Sequence, residues 1–221
     1  LIQQMAEQSR NGKQLVISAT NLDFGRQHFW NLGPETEAAA ASGNADRVRK
    51  ILLASAAIPV AFPPVEIDGT LYADGGVTAN VFARLEPKTP GSFVHQLRTL
   101  HPELPLPKVR YWIIVNNSLN QPPATVQPKW PDVLGPSLAT SIRSATIAEI
   151  RWLATQADYV SATMNADVEV RVVAIPDDWR PPVKGDFKPE TMNSLADLGR
   201  KMGADPTSWK LWTTPPESSA Q

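Results

Sequence analysis

The sequence predicts an α/β protein built on a mainly parallel sheet. Three apolar, β-branched stretches indicate buried strands, namely residues 15–20 (LVISAT), 109–116 (VRYWIIVN) and 168–175 (VEVRVVAI). Stretches with apolar residues at helical spacing lie between them. Because strands that alternate with helices are typical of βαβ units, the sheet is expected to be mainly parallel, with helices packed against it.

The N-terminal elements follow from periodicity and turn residues. Residues 1–10 predict a helix that Asn11-Gly12 ends, and residues 27–32 predict a strand that forms a hairpin with the first one. Residues 33–43 are expected to be a weakly structured connection. Asp46 is expected to cap a helix that reaches about Ala57, with Val48, Ile51, Leu52 and Ser55 on one face. Pro59 then excludes its continuation.

The C-terminal part predicts three further helices. They cover residues 92–100, residues 136–158 and the segment around residues 192–202. The longest carries a predicted core-facing stripe, Leu138, Ile142, Ala145, Ala148 and Trp152. No repeat or clear boundary divides the chain, so residues 1–204 are interpreted as one domain or most of one, and residues 205–221 as a partly disordered tail with Trp209 and Trp212 as anchors.

Composition excludes several functional classes. The chain of 221 residues balances 21 Lys and Arg against 22 Asp and Glu, so no basic surface favours a nucleic-acid partner. Without cysteine, neither a disulfide, a thiol nucleophile nor a Cys-zinc site can form. The three histidines lack the i, i+4 spacing of a metal site, so no metal and no cofactor is expected. The apolar run 51–62 is too short to span a membrane, and no signal pattern opens the sequence, which leaves the compartment undecided.

The most informative stretch is residues 65–80, VEIDGTLYADGGVTAN. Asp68-Gly69 predicts a two-residue turn between two short strands, because this pair adopts positive φ at low cost. The second strand leads into Asp74, Gly75 and Gly76. An acid held at a strand end, beside glycines that let the backbone turn sharply, suits a carboxylate that must orient another group. The alternative is that Asp74 only caps a turn.

Three motifs in order resemble the patatin-like phospholipase family, over roughly residues 1–85. They are A-T-x-L-x-x-G at residues 19–25, A-S-x-A-I-P-x-A-F-P-P at residues 54–64, and Y-x-D-G-G-V-x-x-N at residues 72–80. The resemblance implies a three-layer α/β fold and acyl-ester hydrolysis by a Ser–Asp dyad. It assigns the catalytic acid to Asp74, with Gly75 and Gly76 as supporting residues of the motif.

The chain departs from the family at the nucleophile. It contains no G-x-S-x-G elbow, and the nearest sequence, Gly135-Pro136-Ser137-Leu138-Ala139, ends in alanine and follows Asp74. Ser55 could in principle be a nucleophile, but a small residue packed against a neighbouring backbone is the interpretation we favour. The resemblance therefore predicts the C-terminal part of the family's domain, with an incomplete sheet that needs a missing N-terminal segment or self-association.

Three functional hypotheses remain open at this point. The first is a lipid acyl hydrolase to which this chain supplies the aspartate, acting on a lipid or small ester, with transient contact to a membrane surface. The second is a non-catalytic binding or regulatory remnant of the family. In the third, an α/β module with no site, Asp74 would lie far from any cleft.

Overall fold

The structure is a computed structural model that describes residues 1–83, 85, 88, 90, 92–120, 123, 125–185 and 187–212. It is a mixed α/β protein, as the sequence predicts, but its strands form two sheets and not one. The chain forms two compact units. The first contains Leu1–Val81 and Trp130–Thr146, and the second contains Phe82–Lys129 and Ile147–Gln221.

The sheet of the first unit is antiparallel throughout. Its strands are β1 (Val16–Asn21), β2 (Arg26–Asn31), β3 (Val65–Ile67) and β4 (Thr70–Asp74), in the order β2-β1-β4-β3. Tight hairpins join β1 to β2 and β3 to β4, and such short connections cannot join parallel strands. The prediction of a mainly parallel sheet therefore does not describe this unit.

Three helices complete the N-terminal part: α1 (Ile2–Arg10), α2 (Leu32–Ser42) and α3 (Asp46–Ser55). The expectation of an unstructured connection over residues 33–43 is wrong. The side chain of Asn31 accepts a hydrogen bond from the Gly33 N–H, and Gly43 ends α2 in the left-handed conformation at φ 73°. Between these two caps, the alanine run favours a helix.

Asp46 is not the cap of α3. Ala45 occupies that position and makes no side-chain cap, while Asn44 accepts a hydrogen bond from the Asp46 N–H at 2.9 Å. Asp46 instead lies in the first turn, where a carboxylate interacts favourably with the helix dipole.

The core of the first unit confirms part of the predicted packing. Ala19, Trp30, Leu32, Ile51, Ala54, Ile67 and Tyr72 form one buried cluster. Leu52 packs partly against it. The apolar run 51–62 also predicts a buried Phe62, and this prediction is wrong: the residue is 43% exposed, in a turn that the N–H groups of Ala61 and Phe62 form with the Ile58 carbonyl.

The second unit contains the parallel pairing. Its elements are α4 (Phe93–Leu100), β5 (Val109–Ser118), α5 (Trp130–Met164, whose second half lies here), β6 (Val168–Ile175), α6 (Pro189–Ala204) and β7 (Lys210–Leu211). The sheet order is β5-β6-β7, with β5 and β6 parallel and β7 antiparallel to β6. Helix α5 is the crossover between the two parallel strands, as parallel pairing requires.

Helix α5 is longer than predicted and buries a different face. Trp152, predicted in the core, is 59% exposed. The buried residues of its second half are Ile150, Leu153, Ala154, Ala157 and Val160. Apolar residues occur on neighbouring faces of this helix, so helical spacing alone could not select the face that packs.

The first residues of the predicted tail are ordered against the sheet. β7 pairs with β6, the Trp212 N–H donates to the Val170 carbonyl at 2.8 Å, and the rings of Trp209 and Trp112 lie 5.2 Å apart. The prediction of disorder concerns residues that lie outside the described part of the chain.

Candidate active site

Asp74 is the last residue of β4, where the sequence places it. The hairpin that carries it has the predicted turn, since Asp68 and Gly69 adopt φ of 52° and 75°. On its other side β4 pairs with β1, and Asp74 lies opposite Ala19. Asp74 thus ends a strand that pairs with β3 on one side and with β1 on the other.

Contacts from two other segments fix the backbone of Asp74. Its N–H donates to the Ala57 carbonyl at 3.0 Å, just after the end of α3. Its own carbonyl accepts a hydrogen bond from Thr20 Oγ1 at 2.9 Å. The motif segments around residues 20, 57 and 74, which are far apart in sequence, meet at this point.

The carboxylate itself is half-buried and has a defined partner. Asp74 Oδ1 accepts a hydrogen bond from the Gly76 N–H at 2.7 Å. Desolvation raises the pKa of Asp74, and the Gly76 hydrogen bond opposes this change without cancelling it. A raised pKa makes the carboxylate a stronger base than an exposed aspartate.

Neighbouring atoms lie so close to Gly75 and Gly76 that neither position has room for a side chain. A Cβ on Gly75 would lie 2.6 Å from Ser18 Oγ and 2.8 Å from the Ser18 carbonyl oxygen. A Cβ on Gly76 would lie 2.6 Å from Asn80 Oδ1 and 3.1 Å from Asp74 Oδ1. Both glycines are buried, so the sharp turn after Asp74 depends on the absence of side chains.

Hydrogen bonds hold the segment after the glycines in place. Thr78 Oγ1 lies 2.7 Å from Thr20 Oγ1, and Gln27 Nε2 donates to the Ala79 carbonyl at 2.8 Å. Asn80 Nδ2 donates to Thr146 Oγ1 at 2.7 Å, on the part of α5 that belongs to the same unit. Sequence reasoning missed these supporting residues. Thr20 and Asn80 were visible within the motifs, but no local signal marks Thr146.

The other sequence candidates lie elsewhere. Ser55 is half-buried at the last turn of α3. Ser137 is exposed and lies within α5. Residues 135–139 are therefore helical and do not form the strand-to-helix turn of a nucleophile elbow. Within the described residues, no group of His, Asp and Glu side chains could hold a metal ion.

His28 packs against two aromatic rings. Its ring centroid lies 4.3 Å from that of Trp30 and 5.7 Å from that of Tyr72. Partial burial lowers the pKa of His28, and the charges of Arg26 and Arg47 lower it further. The neutral imidazole is therefore favoured at neutral pH.

A shallow groove of about 190 Å³ lies beside α2 and α3, and Asp74 is not among the residues that line it. Its lining residues are Glu35, Ala38, Ala39, Ser42, Asn44, Arg47 and Val48. That Asp74 borders a cleft stays a prediction.

Comparison with known proteins confirms the resemblance. Residues 16–85 match the family model described as patatin-like phospholipase, a segment that contains β1 to β4 and the Asp74-Gly75-Gly76 turn. No curated protein matches the chain. This segment is therefore patatin-like. Among the described residues, no helix is long and apolar enough to cross a membrane.

Proposed function

We propose that this chain supplies the aspartate of a Ser–Asp dyad to a lipid acyl-ester hydrolase. The observation that carries the proposal is the half-buried Asp74 carboxylate, held by the Gly76 N–H and raised in pKa by desolvation. An ordinary aspartate, with a pKa near 3.9, is a weak base at neutral pH. Desolvation makes its carboxylate a better proton acceptor in the site where a serine hydroxyl would have to be activated.

In the proposed reaction, the serine oxygen attacks the carbonyl carbon of the ester and Asp74 accepts the hydroxyl proton. The tetrahedral intermediate collapses, the C–O bond to the alcohol breaks, and that proton goes to the leaving alkoxide. Water then attacks the acyl-serine while Asp74 again accepts a proton. The bond between the acyl carbon and the serine oxygen breaks and the proton passes to that oxygen, which releases the carboxylic acid and restores both the serine and the Asp74 carboxylate. The serine in this proposal belongs to a G-x-S-x-G segment outside these 221 residues.

Ester hydrolysis by the complete gene product tests this proposal, with p-nitrophenyl butyrate as the substrate. Asp74→Asn keeps the shape of the side chain but removes the base, so we expect a loss of at least about 100-fold in kcat/KM. Asp68→Asn in the same hairpin is the matched control and is expected to retain activity. Near-normal turnover by a folded Asp74→Asn enzyme would exclude Asp74 as the base. If the folded wild type hydrolyses no ester, the non-catalytic hypothesis is favoured instead.

A further inference from the structure

The turn that holds the Asp74 carboxylate is built on two glycines. Asp74 Oδ1 accepts a hydrogen bond from the Gly76 N–H, and the ring that this bond closes includes the ψ torsion of Asp74, 137°. Glycine has little conformational preference of its own, so Gly75 and Gly76 do not fix this turn locally. Hydrogen bonds from other segments are therefore needed to keep the carboxylate and the Gly76 N–H together.

The Asp74 carbonyl receives such a bond, and it rotates with the same ψ torsion. Its donor is Thr20 Oγ1, at 2.9 Å, on the neighbouring strand β1. Thr20 is only 3% exposed, and branching at Cβ restricts its side-chain torsion. A buried hydroxyl with few rotamers, on an inner strand of the sheet, thus fixes the direction of the Asp74 carbonyl.

Proton counting extends this contact to Thr78. A hydroxyl has one proton, and the proton of Thr20 lies on the Asp74 carbonyl, because a carbonyl oxygen can only accept. Thr20 Oγ1 and Thr78 Oγ1 are 2.7 Å apart, so the proton between them belongs to Thr78. Donation therefore runs from Thr78 to Thr20 to Asp74, and hydrogen bonds in such a chain strengthen one another.

The backbone of Thr78 supports the other half of the turn. The Gly75 carbonyl accepts from the N–H groups of Thr78 and Ala79, at 3.1 and 3.0 Å. This carbonyl belongs to the same peptide unit as the Gly76 N–H, so the two bonds polarise the group that holds the Asp74 carboxylate. Both the carbonyl and the carboxylate of Asp74 are thus held by contacts that pass through Thr78.

We propose that Thr20 and Thr78 are positioning residues, whose hydroxyl chain keeps the Asp74 carboxylate on the Gly76 N–H, in the orientation that the proposed dyad uses. The inference rests on the proposed function and adds two residues to that site. Both hydroxyls act through the backbone of Asp74. Among the described residues, burial and the Gly76 bond, and no charged side chain, shift the pKa of Asp74, so its basicity depends on this geometry.

Carbon NMR of the complete gene product, isotope-labelled at the aspartate carboxyl carbons, tests the positioning without reference to activity. Asp74→Asn identifies the Asp74 signal by its loss. In Thr20→Val the carbonyl is released and the Gly76 hydrogen bond, which lowers the pKa of Asp74, weakens. The pKa of Asp74 should therefore rise by at least about 0.5. Thr20→Ser keeps the hydroxyl and should titrate like the wild type.

Thr36→Val is the matched control. Thr36 is a buried threonine of the same unit, 1% exposed, and its hydroxyl donates to two carbonyls within α2. This variant should lose stability and leave the pKa of Asp74 unchanged. Thr78→Val provides a second variant if Thr20→Val does not fold, because Thr78 lies at the surface. It removes the first donor of the chain and should raise the pKa of Asp74 by a smaller amount.

Kinetics of the same variants test the consequence for catalysis. With p-nitrophenyl butyrate, Thr20→Val should lower kcat at least about tenfold with little change in KM, since the base is misplaced and ester binding is not altered. The acid limb of the kcat/KM profile should move to higher pH, because a base of raised pKa is protonated at higher pH. A loss of stability alone would leave the pH profile of the folded enzyme in place.

The positioning and catalytic proposals can fail separately. An Asp74 pKa that neither Val variant of the chain changes, or one that Thr36→Val raises equally, would overturn the positioning. So would a Thr20→Ser enzyme that behaves like Thr20→Val, or wild-type kcat and pH profile in Thr20→Val. If the complete product hydrolyses no ester but the pKa of Asp74 responds as expected, the proposed function is overturned and the hydroxyl chain is confirmed.

Discussion

At the scale of single residues, Asp74 carries a stability cost at the position for which we propose a chemical role. Its carboxylate is half-buried on a strand end and receives a hydrogen bond from Gly76, yet desolvation still dominates and raises its pKa. A group whose charged form is destabilised by folding reduces stability at neutral pH. Functional sites commonly carry such a cost.

The pH dependence of stability tests whether desolvation of the Asp74 carboxylate outweighs its hydrogen bond from Gly76. Because the folded pKa of Asp74 is raised, the cost is fully present above that pKa, diminishes as the pH falls through it, and is absent below the ordinary value of about 3.9. Asp74→Asn should therefore raise the Tm at pH 7, and the gain should vanish in acid. Circular dichroism melts between pH 3 and 8 measure it, with the exposed Asp23→Asn as control. A lower Tm for Asp74→Asn at pH 7, with Asp23→Asn unchanged, would contradict this expectation.

Gly75 allows a second prediction at this scale. Gly75→Ala would place a methyl group against the side chain and backbone of Ser18, and backbone cannot move away cheaply. We expect a loss of about 1–3 kcal/mol in the free energy of unfolding, measured by urea denaturation. Gly199→Ala in α6 has open space around the new Cβ and should stabilise by about 0.5–1 kcal/mol. If both variants change stability alike, the close approach at Gly75 is not what makes it necessary.

At the scale of elements, the core cluster and not surface charge holds α3 against the sheet. Arg47 reaches Glu35 at 3.0 Å and Asp68 at 2.7 Å, which links α3 to α2 and to the hairpin turn. Its side chain is 45% exposed, however, and exposed ion pairs contribute only about 0–1 kcal/mol. Ile51 and Ala54 are fully buried in the cluster and dominate this contact.

The contact between residue 80 and α5 supports the turn after Asp74 in the same unit. Thr146 Oγ1 donates to the Ile142 carbonyl and accepts from Asn80 Nδ2, so one hydroxyl serves both segments. A double-mutant cycle of Asn80→Ala and Thr146→Val should give a coupling of about 0.5–1.5 kcal/mol in unfolding free energy. Thr146→Ser keeps the hydroxyl, so a cycle that uses this variant in place of the wild type should retain most of the coupling.

Thr155→Val is the matched control for that cycle. Thr155 makes the same hydrogen bond to the carbonyl four residues earlier in α5, but it is exposed. Combined with Asn80→Ala, it should show no coupling, because Asn80 Nδ2 donates to the hydroxyl of Thr146 and not to that of Thr155. Equal coupling for Thr155 and Thr146 would mean that the Asn80–Thr146 hydrogen bond contributes nothing specific.

At the scale of the whole molecule, the two units differ in how their sheets are built. Residues 16–81 of the patatin-like segment lie in the antiparallel unit and include Asp74, whereas the parallel pair β5 and β6 belongs to the other unit. No serine of the chain lies in a G-x-S-x-G elbow. We therefore propose that the serine of the dyad lies outside these residues.

The 221-residue chain by itself is accordingly expected to be inactive. It should hydrolyse p-nitrophenyl butyrate no faster than buffer, and a fluorophosphonate probe, which labels activated serines, should leave its mass unchanged. The complete gene product, treated in parallel, is expected to be labelled. Covalent labelling of a serine within residues 1–221 would show that the nucleophile belongs to this chain, and the dyad as proposed would be wrong.

Local chemistry in the sequence was sufficient for several features. The Asp68-Gly69 turn, the strand that ends at Asp74 and the close approach at the two glycines follow from backbone preferences of a few adjacent residues. The positions of β1, β5, β6 and α4 follow from apolar patterns of similar length. Such features were predictable because the interactions that determine them connect neighbours in the chain.

The tertiary structure alone decided which distant segments meet. β4 lies beside β1, Ala57 and Thr20 bind the backbone of Asp74, and Thr146 receives Asn80, all across more than ten residues of sequence. It also decided which face of α5 is buried and that Phe62 is at the surface. These outcomes depend on how the apolar faces of all the elements pack together. An apolar residue gives the same local sequence pattern whether its face is buried or exposed, so the pattern alone cannot decide between them.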